Sequence, residues 1–366
     1  MRAEQSRAEQ SRAEQSRAEQ SRAEQSRAEQ SRAEQSRAEQ SRADNIDILK
    51  AICAFLIVCI HVPFPGMFGS YFTTLTRIAV PIFFMITGYF YVDVVKRGRE
   101  NSQIKKLLKL AIEANILYLL WDCFYAVVSR NSDFFQSSFS FKNLLIFLLL
   151  NESPLSGHLW YLGAILYTLI IVLIIDKLDC RKILYYLTPL LLFGDLVLGK
   201  YSTVILGREF SYILVRNFLF VGIPYFCIGF LIRNGMGRRI EKKALSCLIV
   251  AFSVTSILER FLLVNIGMNA TRDHYISTTF LAVTVFLFAL KYDGHEGFLS
   301  AIGRKHSTWL YILHPIFITC LGTVSNKVGI YGVYKYIAPI IVYIATLVFL
   351  VIIEKCKNRV LKRRRR

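Results

Sequence analysis

Residues 48–62 read Ile-Leu-Lys-Ala-Ile-Cys-Ala-Phe-Leu-Ile-Val-Cys-Ile-His-Val, and the breaker Pro63-Phe64-Pro65-Gly66 follows them. A continuous apolar run that ends at Pro and Gly predicts a helix inside a membrane rather than the apolar face of a soluble helix. The run nevertheless carries an ionisable imidazole, His61, which is costly to keep at membrane depth. His61 is therefore the first candidate for a functional residue.

Apolar runs of this kind recur along the chain after residue 43. Of its 366 residues, 54% are hydrophobic and 13% are aromatic, and the mean hydropathy is +0.41. The apolar residues come in blocks, which excludes a soluble α/β enzyme. Windows of about 20 apolar residues predict an all-α integral membrane protein with about ten transmembrane helices, near residues 47–63, 72–92, 107–128, 158–176, 183–199, 211–232, 244–265, 275–291, 306–324 and 333–354.

The positive charges predict the orientation, because loops rich in Lys and Arg stay in the cytoplasm. Ten spans then place both termini in the cytoplasm. The formal net charge of +19 reports this topology and contact with anionic membrane lipid, and a nucleic-acid partner is not expected. The Lys- and Arg-rich runs are 96–109, 177–182, 233–243, 291–305 and 355–366.

Three segments are predicted. Residues 1–43 are a low-complexity repeat of Ser-Arg-Ala-Glu-Gln, and a period of five leaves no apolar stripe on a helix, so this part is expected to be disordered or solvated. Residues 44–354 form the membrane domain. Residues 355–366 form a basic cytoplasmic tail. The six histidines show no His-x-x-x-His or Glu-x-x-His pairing, so no metal site is predicted.

Further charged residues fall within about six residues of the predicted outer ends of their spans: Arg77, Asp122, Arg216, and Glu259 beside Arg260. Such residues should face inward and pair, lining a polar cavity that reaches His61. The alternative is that Asp122 with Arg216, or Glu259 with Arg77, form structural ion pairs between helices.

Three more residues are weighed on position alone. His314 precedes Pro315, which frees a backbone carbonyl that the imidazole or a neighbour can satisfy. Trp160 begins a span at the outer interface, where aromatic residues are ordinary. His158 lies beside it and is expected at the rim rather than in the catalytic centre.

Four motifs resemble the acyltransferase type 3 family of bacterial membrane acyltransferases. The family's first helix carries an Arg, ten residues and a His, and here Lys50 stands at the Arg position, eleven residues before His61. The resemblance covers about residues 44–354. The other three stretches are Arg77 to Tyr89, with Thr87-Gly88 for the family's Ser-Gly, His158-Leu-Trp160-Tyr-Leu, and Tyr311-Ile-Leu-His314-Pro315.

The resemblance implies transfer of an acyl group, acetyl above all, from acyl-CoA to a hydroxyl of a surface glycan or other envelope molecule at the bacterial plasma membrane. His61 is then the general base or an acyl relay. Asp122 or Glu259 would orient its imidazole, and Arg77 or Arg216 would stabilise the oxyanion. Trp160 and His314 would contact substrate.

The same resemblance implies a site for the donor phosphates. About 16 Å separate Lys50 from His61 along one helix, and both face the same side. Lys50 and the lysines at 105, 106 and 109 are candidates to bind acyl-CoA. Alternatively, Lys50 snorkels to headgroups and the other three only obey the inside-positive rule.

A transporter is the competing hypothesis. The membrane halves of the serine racemases found with vancomycin resistance resemble this same family, and such a domain has been taken to supply an amino acid. A carrier is typically built from two related halves with broken helices at midplane. This sequence has no convincing internal symmetry.

Overall fold

The computed structural model describes residues 43–129, 134–268, 274–292 and 296–364, and regular secondary structure within these ranges is helical. The predicted all-α class is thus confirmed. In chain order the helices are α1 (43–61), α2 (Gly66–Thr76), α3 (Ala79–Lys96), α4 (Glu100–Ser129), α5 (Phe134–Ser138), α6 (Phe141–Leu150), α7 (Trp160–Lys177), α8 (Lys182–Leu198), α9 (Ser202–Leu206), α10 (Ile223–Arg233), α11 (Lys242–Asn265), α12 (Ile276–Leu290), α13 (Phe298–Lys305), α14 (Ser307–Lys327) and α15 (Tyr331–Arg364).

Six segments of the described chain are long and apolar enough to cross a bilayer. Every predicted span overlaps a helix, but several of these helices are short, so the number ten and the cytoplasmic position of both termini stay predictions. An apolar helix that was not predicted, α6, lies between two of the spans. The six are Gly66–Lys96, Glu100–Val128, Gly157–Lys177, Lys242–Asn265, Ser307–Lys327 and Tyr331–Lys362.

Two predicted spans are interrupted in the structure. The span at 72–92 is divided between α2 and α3, with the break at Arg77. The span at 211–232 is helical from Phe218 onward, beginning with a π-helical segment, Phe218–Gly222, that Asn217 caps by accepting hydrogen bonds from two backbone N–H groups. Both breaks carry an arginine that the sequence singled out, because Arg216 immediately precedes the cap.

The predicted cytoplasmic run at 291–305 contacts α1 and α15 at one end of the helix bundle. The Asn45 amide donates to the Tyr292 carbonyl, and Arg304 lies 3.7 Å from Asp47. Lys305 lies 3.2 Å from Glu354. Segments far apart in sequence therefore meet at this end, and its position on the cytoplasmic side stays a prediction.

Three glycines allow two helix pairs to approach closely. A Cβ on Gly88 would lie 1.9 Å from the Phe226 carbonyl oxygen, and one on Gly229 would lie 2.0 Å from that of Met85, so α3 and α10 pack backbone against backbone. A Cβ on Gly303 would lie 1.7 Å from the Asp47 carbonyl oxygen, which brings α13 against α1. Small residues serve this purpose in membrane helices, where close packing drives association.

Two predicted segments look different in the structure. The repeat at 1–43 lies outside the described residues except for Ala43, which begins α1. Of the tail predicted at 355–366, residues 355–364 continue α15 without a break.

Candidate active site

A cavity of about 50 Å³ lies where α1 ends. Four residues singled out from the sequence line it, and they come from four separate parts of the chain. These are His61, Arg77, Trp160 and Arg216, together with Ile57, Ile60, Val80, His158, Tyr161, His274 and Tyr311. Folding thus brings to one place charges that the sequence could assign only to a similar depth.

His61 is the last residue of α1, directly before the Pro-containing turn. Its ring is exposed, whereas those of His158 and His314 are buried. The ring centroids lie 5.0 Å apart for His61 and His314 and 6.2 Å apart for His61 and His158. His61 is therefore an accessible imidazole that rests on two buried ones.

His314 is fixed by the proline that follows it. Pro315 has no N–H, so the Tyr311 carbonyl loses its usual helical donor. His314 Nδ1 replaces that donor: it lies 2.8 Å from the Tyr311 oxygen and 3.2 Å from that of Leu310. Because carbonyls accept, Nδ1 carries the proton and Nε2 holds a lone pair. That Nε2 is buried with no hydrogen-bond partner among the described residues.

His158 is not at the rim, contrary to the expectation from sequence. It is 6% exposed, and its ring contacts those of Tyr118 and Tyr311 at centroid distances of 4.9 and 5.5 Å. Nε2 donates to the Ile312 carbonyl at 3.3 Å, so Nδ1 accepts from the Ser156 hydroxyl at 2.8 Å. The sequence contained a signal for this position, because His158, like His61, lies beside a break that contains Pro and Gly.

Arg216 has a carboxylate partner that was not predicted. Glu152 lies 3.7 Å from its guanidinium, and it is not Asp122, the partner that the sequence offered as an alternative. The guanidinium also lies over the rings of Tyr212 and Trp160, at 4.4 and 5.5 Å from their centroids. Arg216 Nε is buried without a hydrogen-bond partner among the described residues. The Arg216 side chain is therefore held by a carboxylate and two rings, and its Nε–H is a hydrogen-bond donor that is still available.

The two carboxylates expected to orient His61 are not among the residues lining the cavity. Asp122 lies one helical turn after Tyr118 on α4 and is half-buried. Glu259 accepts hydrogen bonds from Tyr201, from the Ser277 hydroxyl, and from the first backbone N–H groups of α12. Burial, together with the hydrogen bond to Glu259, raises the pKa of Tyr201 above its ordinary value. Glu259 therefore caps the start of α12, and its two oxygens are already used in these hydrogen bonds.

A carboxylate and histidine pair beside the cavity was missed in the sequence. His274 lines the cavity, and its Nδ1 lies 2.8 Å from Asp195, with both side chains buried. Asp195 comes from α8 and His274 precedes α12, 79 positions later. No local spacing could have revealed this pair.

At the opposite end of α1 lie two adjoining polar clefts of about 330 and 240 Å³, and Tyr89 and Arg233 line both. Arg233 donates to both oxygens of Asp93, at 2.9 and 3.1 Å. Lys50 pairs with Asp47 at 2.9 Å, and its ammonium lies 5.7 Å from the ring of Phe90, a lining residue of the smaller cleft. Lys50 is thus beside a basic cleft at the predicted inner face.

The three lysines of α4 face elsewhere. Lys105, Lys106 and Lys109 are exposed, and Lys109 lies 3.8 Å from Glu113 one turn further along the same helix. They are not among the residues that line the clefts beside Lys50. The structure does not assemble the four lysines into one donor site.

Within the described ranges, no group of three or more His, Cys, Asp or Glu residues is placed to hold a metal ion.

Comparison with known proteins gives a consistent picture. The family model described as the acyltransferase domain matches residues 44–354. The chain is 26% identical to the serine/alanine racemase of Enterococcus gallinarum over 314 residues and to the amino-acid racemase of Enterococcus faecalis over 306 residues, covering 78% of this chain in each case. It spans only 42% of the length of either relative. No solved structure matches.

Proposed function

Because the chain belongs to the acyltransferase domain family, we propose that it transfers an acyl group, acetyl, from acyl-CoA to a hydroxyl group of a surface glycan or other envelope molecule. It does so as a multi-pass protein of the bacterial plasma membrane. The supporting observation is the cavity in which His61, Arg77 and Arg216 meet, since a base and cationic groups at one point are what acyl transfer to an alcohol requires.

The chemistry follows from the cavity residues. A hydroxyl is a poor nucleophile at neutral pH, so His61 accepts its proton while the oxygen attacks the thioester carbonyl. Arg216 or Arg77 stabilises the oxyanion that forms. The carbon–sulfur bond then breaks, and the CoA thiolate leaves and takes the proton that His61 accepted. The acyl group stays on the acceptor oxygen.

His314 and His158 position the base in this scheme. His314 Nε2 holds its lone pair beside the His61 ring because its other nitrogen is bonded to the helix backbone. The ring of His158, bonded through both nitrogens, fixes the wall of the cavity. Because these two imidazoles are neutral, they add no further positive charge beside His61 when it gains a proton.

The donor is proposed to enter from the opposite end of α1. Lys50 and Arg233 border the basic clefts there, and the CoA phosphates are the anions that such clefts suit. Lys50 lies about 16 Å along α1 from His61, so the acyl end must reach past α1 and α3 to the cavity. The exposed lysines of α4 are left out of this donor site.

The relay route differs from direct transfer in one observable. In a relay, the imidazole of His61 attacks the thioester and carries the acyl group until the acceptor arrives. Incubation of the protein with acetyl-CoA and no acceptor, followed by mass spectrometry of the His61 peptide, then gives an acetyl adduct. Direct transfer gives none.

A decisive test of the function uses the full chain in vesicles with acetyl-CoA labelled in the acetyl group. Envelope material from a strain lacking the protein serves as acceptor, and the missing acetyl mass in that strain identifies the acceptor molecule. Label should move to the acceptor with the wild-type protein and not with His61→Ala. Equal transfer by the two proteins contradicts the proposal.

The racemase relatives favour one alternative, an amino-acid carrier, because both act on amino acids by name. The same vesicles distinguish it. Uptake of radiolabelled serine or alanine by wild-type vesicles, with no acetyl transfer, would assign the cavity to a transported amino acid.

A further inference from the structure

A second, apolar groove of about 410 Å³ runs along the outside of the helix bundle, between α4 and α7. One stripe of α4 forms its wall, at the spacing of three and four residues that a single helix face requires. The segment from Phe139 to Leu155 and the start of α7 close the other side. The stripe consists of Leu108, Ala111, Ile112, Asn115, Ile116 and Leu119.

The groove has a charged mouth. A shallow depression at the amino-terminal end of the stripe shares Leu108 and Ile112 with the groove and adds Lys105, Lys109 and Glu113. Lys109 and Glu113 are 3.8 Å apart and largely exposed, which makes their attraction weak. With Lys106 also exposed beside them, the mouth stays positive.

The depth of the groove fits one leaflet. Leu108 and Leu119 are eleven residues apart, about 16 Å along a helix, and a bilayer has a hydrocarbon core about 30 Å thick. The lysines stand at the end of α4 that the charge pattern assigns to the cytoplasm, where the anionic lipids of a membrane collect. An alkyl chain would match the apolar groove, and a negative headgroup would match its positive mouth.

The floor of the groove reaches the active-site cavity. The Ser153 hydroxyl donates to the Asn115 side chain at 2.8 Å. Asn151 donates to the Trp160 carbonyl at 3.0 Å. Both residues lie in the segment that carries Ser156 and His158, so whatever fills the groove supports the wall behind His158.

We propose that this groove is a selective binding site for an anionic phospholipid of the inner leaflet, with one acyl chain along α4 and the phosphate at Lys105 and Lys109. The site rests on membrane insertion and on these contacts, and it does not depend on the transferase assignment. It also gives the lysines of α4 a ligand that the donor site does not supply.

The test counts lipid retained by the purified full-length protein. The protein is incubated with phosphatidylglycerol and phosphatidylcholine in equal amounts, and bound lipid is measured by native mass spectrometry. The wild type should retain phosphatidylglycerol about 30-fold in preference, the ratio expected for contact with two lysines. Equal retention of the two lipids overturns the proposal.

Two kinds of variant separate headgroup from chain. Lys105→Gln with Lys109→Gln should remove the preference while total lipid stays constant, and Lys355→Gln with Lys357→Gln, exposed lysines of α15, is the matched control. Ala111→Phe should displace both lipids, with Val250→Phe on the exposed face of α11 as its control. If Ala111→Phe does not fold, Ile112→Trp at a half-exposed position serves instead.

The other occupants are outcomes of the same experiment. With undecaprenyl phosphate added to the mixture in equal amount, its preference over phosphatidylglycerol overturns the phospholipid assignment. A dimer in the wild-type spectrum that Ala111→Phe abolishes would assign the groove to a second copy of the chain. Wild-type lipid retention in a folded Ala111→Phe variant excludes the groove as the site.

Discussion

Ionisable side chains cluster at both ends of α1, and the two clusters bond differently. At the amino-terminal end, cations meet carboxylates, as Arg304 meets Glu296 at 2.7 Å and Asp47 at 3.7 Å. Near His61, the two imidazoles packed against its ring, those of His158 and His314, bond to backbone carbonyls and a hydroxyl, although Arg216 and His274 have carboxylate partners there. Carboxylate pairs neutralise charge and join helices, whereas carbonyl bonds fix a neutral ring and its tautomer. The first cluster therefore joins helices, whereas the second holds neutral rings where they can serve chemistry.

The largest effect is expected when the base is removed. His61→Ala should lower acyl transfer by about 10²- to 10⁴-fold, the usual contribution of a general base, with unchanged expression and thermal unfolding. His306→Gln, in the amino-terminal cluster beside Glu354, is the matched control and should keep its activity. Loss of activity in the control alone would reverse the assignment of the two ends.

Removal of one arginine at each end gives the next largest effect. Arg216→Met should lower the transfer rate by about 10²-fold, because it withdraws an oxyanion donor. Arg304→Met should leave the rate of the folded protein unchanged and lower the free energy of unfolding by up to about 1 kcal/mol, since its ion pairs are partly exposed. Steady-state kinetics and thermal melts of both variants check this. Equal rate losses would show that both clusters act in catalysis.

Substitutions at His314 separate positioning from packing. Asn retains a donor where Nδ1 stands, so His314→Asn keeps the bond to the Tyr311 carbonyl but lacks Nε2. His314→Gln retains a polar group near Nε2 and loses that bond. If Nε2 assists His61, the Asn variant should lose activity, about tenfold, and still melt like the wild type. A fully active Asn variant would reduce His314 to a helix-stabilising residue.

Glu259 tests the sequence prediction against the structural role. As a cap of α12, Glu259→Gln should cost about 1.5–3 kcal/mol of stability, the range for hydrogen bonds to a charged group, with little change in rate per folded molecule. The catalytic role expected from sequence predicts the reverse, a large rate loss at constant stability. Chemical denaturation and single-turnover kinetics on one preparation decide between them.

The smallest effects are expected at the lysines. Lys50→Met should raise the KM for acetyl-CoA severalfold, because Lys50 stands beside the basic clefts. The triple substitution of Lys105, Lys106 and Lys109 by Gln should leave that KM unchanged, since these side chains face away. A raised KM in the triple variant would return the donor to α4 and remove the distinction between the two groups of lysines.

Much of the fold could be read from local signals. Each apolar block overlaps a helix in the structure. This could be predicted because the length and the apolar content of a block are local properties of the sequence. The breaks at Arg77 and before Phe218 were missed, since an apolar run looks the same whether or not its backbone bends. Asn217, a capping residue, and Pro224 near the start of α10 were the available signals for the second break.

By itself, the sequence determined that this is an all-α membrane protein, and it singled out His61 with arginines at similar depth. Only the tertiary structure decided which of them meet. Arg77, Trp160 and Arg216 reach the cavity of His61, while Glu259 turns to the start of α12. His158 and His274 join it from distant segments. The physical reason is that depth follows from hydropathy along the chain, whereas the partner of each side chain depends on how helices far apart in sequence pack and rotate against one another.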